Sequence, residues 1–165
     1  MQKKTPLLTP KSFFRTYALI HLSMVGGVLL FALIIFLQTK EHALILSYNG
    51  DKLFFIVPIM AILGIVAGNY IYQNILKKLA SKNTLTEKLS GIQTAALIKY
   101  ALIEAPALLS VTAFMHDGNL YFLIITLVLA GWLILQKPTR DKIVQDLKLE
   151  GNLKNQFQQQ DQPVT

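Results

Sequence analysis

Residues 92–115, IQTAALIKYALIEAPALLSVTAFM, and residues 120–135, LYFLIITLVLAGWLIL, are two apolar runs parted by only four polar residues, His116-Asp117-Gly118-Asn119. Asp-Gly supplies the backbone freedom of a tight turn, so the two runs read as an antiparallel helical hairpin. Upstream lie two further runs, Tyr17–Leu37 and Leu53–Tyr72. At 1.5 Å rise per residue each of these reaches about 30 Å, the thickness of a hydrocarbon core, and the last run of the chain is shorter, roughly 24 Å. Four such runs predict an all-α integral membrane four-helix bundle, with spans at about 17–37, 53–72, 92–115 and 120–136.

The chain has 165 residues, 53% of them hydrophobic, and the spans occupy so much of it that no room is left for a soluble catalytic domain. Its net charge of +7 would raise nucleic-acid binding in a soluble protein. Here the basic residues flank the spans and read as topology instead, and no nucleic-acid partner is expected. Cysteine is absent, which removes disulfides and thiolate chemistry.

Fourteen of the sixteen Lys and Arg residues fall on one side of a four-span arrangement. Lys3, Lys4, Lys11 and Arg15 precede the first span, Lys77, Lys78, Lys82, Lys88 and Lys99 surround the second loop, and five more follow the last span. Only Lys40 and Lys52 lie opposite. The positive-inside rule then places both termini and the 73–91 segment in the cytoplasm. The first run is too long for a secretory h-region and Gln38-Thr39-Lys40 offers no small-residue cleavage site, so it reads as a retained anchor. Phe13, Phe14 and Tyr17, and again Tyr70 and Tyr72, stand where an aromatic belt would form.

Small residues let helix backbones approach. Ser23 and Gly27 in span 1, and the Ala61, Gly64, Gly68 stripe in span 2, predict a close contact between those two neighbours. Pro58 reads as a helix start and Asn69 as an interfacial polar group. The basic 73–91 segment is expected to be a polar loop, part helical, with Thr86 and Ser90 as caps and anionic lipid headgroups as its partners. Beyond Pro138, Thr139 as N-cap, Asp141 in the first turn, apolar Ile143, Val144 and Leu147, and Gly151 as a stop predict a short amphipathic helix at the inner surface, so that residues 1–137 form the membrane domain and 138–151 this helix. Residues 152–165, rich in Gln and Asn, are expected to be disordered.

Glu104 is the residue with the most chemistry in it, since an ionisable group within a span costs several kcal/mol unless it is paired, protonated or hydrated. Tyr100, at i−4, shares its helical face and is the expected hydrogen-bond donor; His21, also toward the inner half, is a further candidate partner. Lys99 is expected to snorkel to the inner interface. Pro106 cannot donate to the carbonyl of Leu102, so it should bend the span beside the acid. The expectation is a buried, mostly protonated Glu104 facing Tyr100 and other spans. His116 and Asp117 are too few ligands for a metal, and no cofactor is expected.

The run Ala96-Leu97-Ile98-Lys99-Tyr100-Ala101-Leu102-Ile103-Glu104-Ala105-Pro106-Ala107-Leu108, then Gly118-Asn119, then Lys137-Pro138-Thr139-Arg140-Asp141-Lys142-Ile143, resembles small four-span membrane proteins of Bacteroidota type that have no established activity. The start, Phe13-Phe14-Arg15 through Ile20-His21-Leu22, is similar too. The resemblance implies a multi-pass protein of the bacterial inner membrane. A glycine-bearing helix, a basic loop and a helix with an intramembrane acid also follow one another in rotary ATPase proteolipid subunits. The glycine repeat here is shorter and extra spans flank the pair.

No Gly-x-Ser-x-Gly, paired aspartate or His-rich motif is present to carry an intramembrane reaction. The leading expectation is therefore a non-enzymatic accessory or structural subunit whose partners are the lipid bilayer and a second copy or another membrane protein. The competing one is a small proton- or cation-linked carrier using Glu104. Carriers gather several polar groups around one cavity, and only Glu104, Tyr100 and His21 qualify.

Overall fold

Thr9 and Ser12 start the first helix by reciprocal capping: the Thr9 hydroxyl accepts from the Ser12 amide at 3.2 Å and the Ser12 hydroxyl accepts from the Thr9 amide at 3.1 Å. With Pro10 at the first position, α1 runs Pro10–Gln38. It is followed by α2 (Leu53–Ala80), α3 (Leu85–Asp117), α4 (Leu120–Leu135), α5 (Arg140–Asp146) and α6 (Gly151–Gln158). These elements come from a computed structural model that describes residues 9–48, 50–159 and 161–162. Lys3, Lys4 and the last residues of the expected disordered tail lie outside the described residues. The protein is all-helical. Among the described residues three helices are long and apolar enough to cross a membrane, and α4 with α5, bent by 79° at their junction, form a fourth candidate.

The helices overrun the apolar runs at the basic end. The expected 73–91 loop shrinks to Ser81–Thr84, because α2 continues to Ala80 and α3 begins at Leu85. Thr84, not Thr86 or Ser90, is the cap, accepting from the Glu87 amide at 3.3 Å. The Lys88 ammonium donates to the carbonyls of Leu79 at 3.0 Å and Ala80 at 3.2 Å, satisfying acceptors that the end of α2 leaves open. Leu85, Leu89 and Ile92, at helical spacing, bury that turn of α3 in the core.

The hub of the bundle is α3. Its largest interface is with α2, followed by α4 and α1, whereas α1 and α2 make at most marginal contact. This corrects the expected contact between spans 1 and 2. Ser23 and Gly27 are exposed on the outer face of α1, and a Cβ on Gly27 would meet nothing within 4 Å. Gly64 and Gly68 do pack closely, but on α3: a Cβ on Gly64 would overlap the Leu102 carbonyl oxygen, and one on Gly68 would lie 3.2 Å from that of Lys99. The 120–135 run follows α3 through a short turn, as its sequence implies. Gly118 closes α3 in the left-handed conformation (φ 64°) and Asn119 caps α4.

Past α4, Thr139 caps α5 through the Lys142 amide at 3.2 Å. The helix ends earlier than expected, at Asp146, with Lys148 left-handed (φ 47°), and Gly151 opens α6 instead of terminating α5. Residues 152–158 are thus helical rather than disordered. The reason is Phe157, four residues after Leu153, which is buried in the same apolar core as Ile143, Leu147 and Leu149.

Candidate functional site

Helices α1 to α5 meet at the basic end in one polar cluster. Tyr17 and His21 come from α1, Tyr72 from α2, Lys99 and Tyr100 from α3, Gln136 from the end of α4 and Asp146 from α5. The Lys99 ammonium donates to Gln136 Oε1 at 2.7 Å and lies 5.0 Å from the centre of the Tyr72 ring. The Tyr100 hydroxyl donates to the Gln136 carbonyl at 3.0 Å, and the Tyr72 hydroxyl to Asp146 Oδ2 at 2.6 Å. A carbonyl only accepts, so His21 Nε2 carries the proton in its 2.8 Å hydrogen bond to the Leu133 carbonyl oxygen. The His21 ring meets Tyr100 edge-on at 5.0 Å. Lys99 is buried, and its ammonium reaches the cluster at the C-terminal end of α4.

This arrangement changes the reading of Glu104. Tyr100 and His21 do come together, as their sequence positions implied, but with each other and with α4. Glu104 is only partly buried and makes no hydrogen bond or ion pair among the described residues. It flanks the lipid-facing stripe of α3, where Leu97, Ile98, Ala101 and Ala105 are exposed. The expected burial against Tyr100 is therefore replaced by an unpartnered carboxyl at the membrane-facing edge of the hub helix. Helical phase explains the difference: Tyr100 lies 40° further toward α1 and α4, and its hydroxyl finds the Gln136 carbonyl there.

Pro106 stands against Gly64, with the Leu102 carbonyl that it cannot engage also directed at Gly64. A matching pair lies nearer the other end. Pro58 leaves the Phe54 carbonyl without its helical donor, and the Tyr121 hydroxyl supplies one at 3.2 Å while the Phe54 and Tyr121 rings stack at 4.5 Å. The α3–α4 hairpin is stitched by Ser110, whose hydroxyl donates to the Phe122 carbonyl at 2.6 Å, and by Thr126, which donates to the Ala107 carbonyl at 3.3 Å.

Asn119 organises the end opposite the basic cluster, a role the sequence reading did not assign. Its side chain accepts from the Ile45 amide and donates to the Ile45 carbonyl, both at 3.0 Å, and accepts from the Tyr121 amide at 3.1 Å. With the isolated bridge between Ala43 and Asn119, it clasps the 39–48 segment to the hairpin turn. His116 and Asp117 hydrogen-bond to each other in that turn. Among the described residues no three His, Cys, Asp or Glu side chains gather as metal ligands.

No protein-family model matches the chain, and comparison with curated proteins and with solved structures gives no match either.

Proposed function

We propose that the chain is a small, non-enzymatic accessory or structural subunit of a bacterial inner membrane, with both termini in the cytoplasm, that docks another membrane-embedded helix against the Glu104 face of α3. The observation that carries this reading is the unpartnered carboxyl. His21, Lys99, Tyr100, Ser110 and Thr126 are all committed to hydrogen bonds within the chain, and Glu104 is not. A carboxyl beside hydrocarbon is costly, and a donor on a neighbouring helix removes that cost while Ala101 and Ala105 let its backbone come near. The neighbour is a second copy of this chain or another membrane protein. The orientation rests on the fourteen-to-two division of basic residues.

A proton- or cation-linked carrier is the second reading, favoured by the same unpaired acid. It needs several polar groups around one pathway, and Tyr100 and His21 are turned to other partners. The well-formed pockets also lie away from Glu104, at the basic end and along lipid-facing grooves. Gentle-detergent extraction followed by mass spectrometry of stoichiometric companions tests the first reading. Loss of the companion in a folded Glu104→Leu variant supports docking, and equal recovery with both proteins refutes it. A pH-driven flux in vesicles holding the purified chain alone, abolished by Glu104→Gln, would establish the carrier instead.

A further inference from the structure

The fourth span is short. It ends at Leu135, and the chain turns through Gln136, Lys137 and Pro138 before α5 departs at 79°. Alongside it α1 continues to Pro10; Phe13 and Tyr17 are buried in the core, while Ala18 and Leu22 stand beside the turn that follows α4. The result is a notch of about 270 Å³ between Ala18, Leu22 and Val25 on α1 and Ile134, Lys137 and Pro138 on the other side. Its lining is apolar except for Lys137 and for His21, whose ring is tied to the Leu133 carbonyl.

One cation, Lys137, lines this notch, and a second, Arg140, stands beyond it over Phe14 of α1. Lys137, the second residue past α4, is exposed. The guanidinium of Arg140 lies 5.4 Å from the centre of the Phe14 ring. Phe14, Ala18 and Leu22 follow one another at i, i+4 and i+8 along a single face of α1, so Arg140 covers that face one turn beyond the notch. Neither cation makes an ion pair among the described residues. Elsewhere at this end, Lys82 is paired with Glu87 and Lys88 caps α2.

An apolar slot facing hydrocarbon, open at the end of a span, with one unpaired cation in its lining and a second one turn beyond it where headgroups lie, matches one amphipathic molecule. We propose that the α1–α4 notch binds an anionic phospholipid, one acyl chain lying along Ala18, Leu22 and Ile134 and the phosphate between Lys137 and Arg140. A zwitterionic lipid brings its own cation to the mouth and gains less. A free anion gains nothing from the apolar walls, and a notch of about 270 Å³ holds part of one acyl chain, not a partner helix. No residue of α3 lines the notch, and the site does not depend on any role of Glu104 in docking.

The test is native mass spectrometry of the full chain in mild detergent, titrated with dioleoyl phosphatidylglycerol or dioleoyl phosphatidylcholine. One phosphatidylglycerol should be retained with about tenfold preference, the scale expected for one to two interfacial cations. A Lys137→Gln, Arg140→Gln double variant should lose that preference, and a Lys77→Gln, Lys78→Gln variant should keep it. Chain-free glycerophosphoglycerol should fail to displace the lipid. The proposal is overturned by equal binding of the two lipids, by equal loss in both double variants, or by displacement with the chain-free headgroup. Should the Lys137/Arg140 variant not fold, wild-type protein in phosphatidylglycerol vesicles carrying a photoactivatable acyl chain decides: label concentrated in residues 18–25 and 134–138 supports the site, and label spread evenly over the lipid-facing helices overturns it.

Discussion

The carbonyl oxygen of Leu102 is aimed at the bare Cα of Gly64. Pro106 has no N–H to give that carbonyl, so α3 carries a free acceptor, and the absence of a side chain on α2 lets the two backbones close over it. Pro58 and Tyr121 solve the same problem differently, with a hydroxyl hydrogen bond to the Phe54 carbonyl. In a bilayer no water is at hand for such acceptors, so each proline is matched by a feature on the facing helix.

Gly64→Ala should therefore destabilise the bundle by about 1–3 kcal/mol, the usual cost of forcing atoms into a packed interface. Gly68→Ala should cost less, since its added carbon would sit 3.2 Å from the Lys99 carbonyl oxygen. Gly27→Ala, on an open face, should stay within about 0.5 kcal/mol of wild type. Thermal unfolding in detergent ranks the three, and a Gly27 effect equal to that of Gly64 would be inconsistent with α3 as the hub.

Tyr121→Phe should cost about 1 kcal/mol by removing the donor to the Phe54 carbonyl. The same change in a Pro58→Ala background should cost less, because an alanine at 58 returns the helical N–H. A double-mutant cycle reads this directly, and additive effects would mean that the hydroxyl and the proline act independently.

Lys88→Met should lower stability by about 1.5–3 kcal/mol, the range for hydrogen bonds from a charged donor, because it uncovers the last carbonyls of α2. Lys82→Gln breaks only an exposed pair with Glu87 and should leave the unfolding midpoint nearly unchanged. Denaturant titration of the two variants in one detergent compares them. Similar losses would show that charge at this end matters more than capping.

Asn119→Ala should release the 39–48 segment. Amide exchange at Ile45, which donates to Asn119 Oδ1, should accelerate about tenfold, as expected from losing hydrogen bonds of about 1 kcal/mol each. Unchanged exchange at Ile45 and Ala43 would show that the segment is held by something other than this side chain.

Three spans were legible because their apolar runs reach bilayer length, and the hairpin turn because Asp117-Gly118 allows a left-handed residue. The extension of α3 back to Leu85 was also written in the chain, in the spacing of Leu85, Leu89 and Ile92, but Glu87 and Lys88 between them masked it. Leu153 and Phe157 similarly announced α6 within a glutamine-rich tail. Helix pairing was not legible. A small-residue stripe says that something comes close, not which helix does, and Gly64 found α3 where sequence adjacency favoured α1. For Glu104, spacing put Tyr100 on the same face but could not show that the Gln136 carbonyl would take its hydroxyl.

Glu104 has no partner among the described residues, and its proposed pairing with a neighbouring helix is decided most directly by the size of the assembly in mild-detergent extracts of native membranes, measured by native electrophoresis for wild type and Glu104→Leu. Wild type should migrate as a complex larger than one chain. The variant should migrate as a single chain whose thermal midpoint, once purified, is no lower than that of wild type. Identical migration of the two proteins, whether both assembled or both single, would contradict a docking role for this residue.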